Sequence, residues 1–153
     1  MDPKYLQSDE IFNYNSDKIK RILKELDIGD LNHKNQAIKL FYYVRDSIPY
    51  SVKLTSLDYE SFAADKTLEN EYSYCIPKAI ALATLGRACG IPSRIHFVDF
   101  INHRLSNYFI QSWGTNLMAA HCYTEFYLNE KWIKATPALD KATCDNHEFI
   151  LAE

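Results

Sequence analysis

The sequence predicts an α+β domain, with helices first and an antiparallel sheet after them. Apolar residues recur at spacings of three and four through the first half of the chain. Beyond Pro92 come stretches rich in β-branched and aromatic residues, the last two separated only by Asn129-Glu130, a two-residue turn. At 153 residues the chain is long enough for one domain with a real core, and it shows no repeat, low-complexity run or internal linker.

Taken in order, residues 1–15 mix charges, Asn and aromatics without a period and read as an arm or a short helix. Ser16 or Asp17 caps a helix carrying Ile19, Ile22, Leu23 and Leu26, with Gly29 as its stop. Asn32 caps a second helix carrying Ala37, Ile38, Phe41 and Tyr42. That helix ends near Ser47, because Pro49 disfavours helical geometry at Ile48. Tyr50-Ser51-Val52 reads as a short extended piece, and residues 53–72 as a polar loop with a helical turn, placed to wall a site.

The stretch from Ser73 to Arg94 organises the rest. Pro77 suits a first helical turn, where its missing N–H costs nothing. Ile76, Ala79, Ile80 and Ala83 form one apolar face, and Leu82 and Leu85 widen it until little of the helix need meet water. Gly90 supplies a left-handed stop and Pro92 prevents resumption. Strands are expected from Arg94 to Ile101, from His121 to Leu128 and from Lys131 to Ala135, the last ended by Pro137. Residues 102–118 read as an insertion, helical around 105–110.

Composition excludes several classes. A net charge of −3 gives no basic footprint for nucleic acid. The N-terminus is acidic and lacks an apolar core segment, and no run approaches membrane-spanning length. A cytoplasmic, reducing location is therefore the expectation, with the four cysteines as thiols and not a disulfide framework. Cys144 and His147 form a C-x-x-H pair, but a zinc site needs four convergent ligands, so no metal is predicted. Cys89 and Cys122 read as core thiols. Phe97, Phe100, Tyr108, Phe109 and Trp113 either pack in the core or line an apolar groove.

The chemistry centres on Cys75. It falls at or just before the start of the central helix, where free N–H groups and the positive end of the helix dipole favour a thiolate. Such a nucleophile needs a base, and His121 meets it if the sheet packs on the helix; a third group would orient the imidazole. Cys, then His, then an oxygen side chain is the order found in papain-like hydrolases and acyltransferases. The bland alternatives stand beside this reading: an inert core cysteine and a structural histidine.

Three segments together resemble the transglutaminase-like superfamily. They are Phe41-Tyr42-Tyr43-Val44-Arg45-Asp46-Ser47-Ile48-Pro49-Tyr50, the run from Cys75 ending Arg87-Ala88-Cys89-Gly90-Ile91-Pro92-Ser93-Arg94, and His121 to Pro137. They occur in that family's order and at comparable spacing, over about residues 33–144. The resemblance implies a papain-like fold and a Cys-His-Asp triad working through a thioester, without a metal or organic cofactor. By position, Cys75 is the implied nucleophile and His121 the base. Where the family has Trp-x-x-x-Asp-Pro, this chain has Trp132-Ile133-Lys134-Ala135-Thr136-Pro137, so Thr136 takes the place of the acid. Threonine can fix an imidazole tautomer but cannot stabilise an imidazolium by charge. Asp140 is the alternative third member, while Glu125 reads as a salt-bridge partner of Arg94 or Arg87. Tyr50 or Tyr74 would join the Cys75 N–H as oxyanion donors. Ser73 replaces the glycine that many relatives carry two residues before the cysteine. The implied function is cysteine-dependent acyl transfer on a peptide, protein or small amide or ester. The alternative is a catalytically weakened module that binds a peptide or protein.

Overall fold

Helix α4 (Cys75–Ala88) has no polar face to give to water, and the rest of the chain closes around it. Every residue from Pro77 to Arg87 is buried. The computed structural model describes residues 2–53, 58–105, 107, 110–111 and 114–147. Before α4 come α1 (Asp17–Glu25), α2 (His33–Ser47) and the single turn α3 (Ala64–Thr67), with 3-10 turns at Pro3–Leu6 and Tyr59–Phe62. After it come β1 (Ser93–Ile101), β2 (Leu117–Leu128), β3 (Lys131–Ala135) and α5 (Lys141–His147). The strands form one antiparallel sheet in the order β1-β2-β3. The sheet covers one side of α4 through β1 and β2; α1, α2 and α3 cover the others.

Local chemistry sets most boundaries. The Ser16 side chain caps α1 on the Ile19 N–H, and Asn32 caps α2 on the Asn35 N–H. Helix α1 ends at Glu25, short of Gly29, because Asp27 takes a left-handed φ of 47° and turns the chain there. Helix α2 ends at Ser47, with Ile48 extended before Pro49. Asn129 and Glu130 both adopt positive φ, 50° and 63°, closing the β2–β3 hairpin in the primed-turn geometry that strand twist favours.

The structure departs from the sequence expectations in three further places. Strand β2 starts at Leu117, four residues before His121, because the far end of β1 pairs there: Ile101 with Leu117 and Phe100 with Met118. Residues 141–147 form α5, started by the Asp140 carboxylate, which accepts from the Thr143 N–H at 2.9 Å. Phe97 and Phe100 join neither core nor groove; both are exposed on β1. The helix expected around 105–110 lies mostly outside the described residues, as do Tyr108, Phe109 and Trp113.

Polar side chains trapped on α4 become cross-links. Thr84 is the exception, satisfied within the helix by donating its hydroxyl to the Ile80 carbonyl at 2.8 Å. The Arg87 guanidinium donates to the Ser93 carbonyl at 3.0 and 3.1 Å and to the Gln7 carbonyl at 2.9 Å, and lies over the Phe12 ring. The sheet approaches α4 most tightly at Gly86. A Cβ there would fall 2.6 Å from the Ser93 hydroxyl oxygen and would overlap the Phe126 ring.

Gly86→Ala therefore forces the sheet off its helix. Urea unfolding is expected to show a loss of about 1–3 kcal/mol, the usual range for overpacking a dense core. An unchanged midpoint would mean that Phe126 can turn aside.

Candidate active site

Cys75 is the first residue of α4 and is half-buried. Tyr74 precedes it as N-cap but makes no side-chain capping bond, and Pro77 has no N–H. The Cys75 and Ile76 N–H groups are thus left without a side-chain cap at the helix start, beside the thiol, as donors for developing negative charge.

Three contacts place β2 along this helix. Cys122 has its pKa raised by burial first and then by the nearness of the Cys75 thiol. The Thr124 hydroxyl donates to the Ala79 carbonyl at 2.8 Å. The Phe126 ring lies against Gly86. Strand and helix numbers rise together, so the two elements run in the same direction. Back along the chain from the Thr124–Ala79 bond, Cys75 is about 6 Å away on the helix and His121 about 10 Å away on the strand. Both residues therefore stand at the same end of the packed pair.

The pleat of β2 breaks just before the imidazole. Ala120 has a left-handed φ of 54°, and the β1–β2 register shifts between Val98 and Phe100. The Asp99 carboxylate spans this bulge, accepting from the Ala120 N–H at 2.7 Å. The His121 ring meets Phe100 edge to face, with centroids 5.3 Å apart. Burial lowers the His121 pKa, which keeps the ring neutral near pH 7. Among the described residues the imidazole makes no hydrogen bond, to Cys75 or to Thr136. The ends of β2 and α4 bring thiol and imidazole into one region without a resting ion pair.

The other candidate partners have settled roles. Glu125 accepts from Arg94 Nε at 2.7 Å, and His96 Nδ1 lies 3.8 Å from the same oxygen. Asp140 accepts from the Tyr50 N–H at 2.7 Å and from the Thr143 hydroxyl at 2.7 Å, besides starting α5. Burial raises the Asp140 pKa, but these hydrogen bonds outweigh it and hold the carboxyl below its ordinary value. Thr136 comes just after the end of β3 and is half-buried. Cys144 is buried in α5, and among the described residues no group of His, Cys, Asp and Glu converges on a metal position.

Tyr50 and Tyr74 both lie near the thiol. The Tyr50 hydroxyl is pushed up to about 12, by burial first and then by the charge of Cys75; Tyr74 is raised by the same causes. The Tyr50 backbone is stitched to the segment before Cys75, with the Ser51 N–H donating to the Ser73 carbonyl at 2.9 Å and the Ser73 N–H to the Pro49 carbonyl at 3.0 Å.

Lys78 completes this frame, a role that sequence reasoning misses. Fully buried, its ammonium donates to the Arg45 carbonyl at 2.9 Å and the Ile48 carbonyl at 2.6 Å, at the end of α2. A lone lysine inside an otherwise apolar helical run is the available signal. Burial pushes its pKa down to about 8, against the pull of Asp140 and Asp46.

A family model described as the transglutaminase-like superfamily matches residues 20–137, more than half of the chain. The chain belongs to the transglutaminase-like superfamily. Solved structures agree on the fold of this transglutaminase-like chain. A candidate cysteine protease from Cytophaga hutchinsonii superposes with a TM-score of 0.65 at 17% identity, covering 88% of this chain and 40% of that one. The periplasmic domain of TgpA from Pseudomonas aeruginosa superposes at 0.59 with 20% identity, over 90% of this chain and 48% of that one. The same domain bound to ethylmercury gives 0.59 at 21%, over 90% and 49%. The chain thus spans less than half the length of each. No curated protein matches it significantly. Among the described residues, no helix is long and apolar enough to cross a membrane.

The buried lysine makes stability depend on pH. Lys78 holds its proton to about pH 8 when folded, and a lysine holds it to about 10.4 when unfolded. Between these values the unfolded chain binds more protons, so stability rises with pH. From pH 8 to 9 the gain is up to ~1 kcal/mol. Urea unfolding at both pH values should show this rise in the wild type relative to Lys78→Met. The buried thiols lower stability over the same range in both proteins, so the difference isolates Lys78. Equal slopes would refute the assignment.

Proposed function

We propose that this transglutaminase-like chain transfers acyl groups through a thioester on Cys75. The position of Cys75 carries the reading: a thiol on the first residue of a buried helix, at the end of the helix–sheet packing that holds His121. His121 takes the thiol proton, and the sulfur attacks an amide or ester carbonyl. The first-turn N–H of Cys75, with Tyr50 or Tyr74 beside it, receives the oxyanion. The imidazolium then protonates the leaving amine or alcohol, and water or an amine resolves the thioester. Thr136, at the motif position of the family's carboxylate, would accept from the imidazole in the reacting complex, a contact that the resting structure does not make. The substrate is a peptide, a protein or a small amide or ester. The cytoplasmic placement expected from the sequence would keep such a thiol reduced.

A second reading has its own support. Glu125 and Asp140 are bound elsewhere, and Thr136 carries no charge. Among the described residues no carboxylate pairs with an imidazolium formed at His121, as in a weakened domain that binds a peptide without turning it over.

Iodoacetamide separates the two. Burial pushes Cys89 up to about 11, and burial with the charge of Cys75 pushes Cys122 up to about 12. Burial also raises Cys144, with Asp140 adding to it. Those three thiols should alkylate slowly near pH 7.5. Cys75 should label first by mass spectrometry, and His121→Ala should slow it about tenfold or more. Its rate should hold on acidification until below about 6.5, the ordinary histidine value. Slow labelling at all four cysteines would sink the enzyme reading and leave the binding module.

A further inference from the structure

Helix α2 and the inner face of β3 stand apart and leave a groove of about 690 Å³. That volume lies within the range of small-molecule sites, about 300–1,000 Å³. Its walls are apolar: Ala37, Ile38 and Phe41 from α2, with Phe126, Leu128 and Ile133 from the hairpin. Cys75 and His121 do not line it; Thr136 does, at the end away from Asn129, so the groove runs from the hairpin turn toward the proposed site without containing the thiol or the imidazole.

One end of the groove is basic. Lys34 and Lys131 flank Asn129 there, and the groove joins a polar hollow of about 340 Å³ that shares Lys34 and Asn129 and adds Asn32 and His33. Among the described residues no Asp or Glu lines either space. Among the described residues, neither Lys34 nor Lys131 has an acidic partner. Helix α2 begins at His33 and turns its positive end to the same mouth. Lys134 contributes only its stem, since its ammonium lies over the Tyr123 ring at 5.5 Å. On a chain of net charge −3, this mouth is a local concentration of positive charge and not part of a generally basic surface.

We propose that the groove binds a small amphipathic anion, a straight-chain carboxylate whose tail lies along Ile38, Phe41 and Ile133 and whose head meets Lys34 and Lys131. The apolar walls account for the tail, and the unpaired ammonium groups at one end account for the head and its direction.

Calorimetric titration of the whole chain with dodecanoate below its micelle concentration tests this. Dodecyltrimethylammonium supplies the same tail with the opposite charge. Dodecanoate should bind saturably at one molecule per chain, and the cation at least about tenfold more weakly. Lys34→Glu and Lys131→Glu should each weaken dodecanoate about tenfold, equivalent to about 1.4 kcal/mol. Ile38→Trp should fill the groove and weaken it likewise. All three positions are exposed, so folding is spared, and matching unfolding midpoints check this. Absence of saturable binding, equal affinity for both head groups, or wild-type affinity in the two Glu variants would overturn the proposal.

Discussion

The parallel packing of α4 on β2 is the constraint on which the remaining structure depends. A helix that is apolar on every side is stable only when enclosed. Gly86 admits Phe126, and the Thr124 hydroxyl fixes the helix along the strand. Enclosure then dictates what α4's polar residues must do. Lys78 cannot reach water, so its ammonium binds the carbonyls that end α2. Arg87 likewise draws Gln7 and Ser93 to the other end of the helix. These are hydrogen bonds to charged donors in a dry setting, and leaving one unmade would cost more than an average bond contributes.

The same packing brings a thiol, an imidazole and two tyrosines to one end of the molecule and leaves their polar support thin. A carboxylate beside an imidazole would stabilise the ring's charged form; here burial alone acts, and in the opposite direction. Glu125 answers Arg94 and Asp140 holds the Tyr50 backbone, so each carboxylate shapes the walls of the site and not its proton transfer. The direction of β2 is likewise set by a carboxylate one strand away, because Asp99 holds the bulge through which the chain enters His121.

What is legible in the sequence is local. Ser16 and Asn32 cap their helices, Pro49 ends α2, Asn129-Glu130 closes the hairpin, and Cys75 opens α4; each depends on a few neighbouring residues. The family resemblance is legible for a related reason, since its motif residues cluster where helix, hairpin and thiol meet. What stays hidden depends on pairs distant in sequence. Leu117 to Ala120 shows no alternation, so only its pairing with the far end of β1 reveals a strand. Asp140 invites a catalytic reading until Tyr50, far away along the chain, is seen donating to it. Gly86 looks like a weak point in a helix and is instead the closest approach of the sheet.

Strand β1 forms an outer margin of the sheet and shows Phe97, Val98, Phe100 and Ile101 to solvent, with Leu117 beside them. A greasy ribbon with unspent backbone donors is an invitation to foreign strands. Its one interruption is the bulge at Asp99, where a charge and a kink fall together in the middle of the run. The irregularity that sets the chain's entry into His121 is thus also the feature that spoils the ribbon as a template for clumping, and a single aspartate serves both.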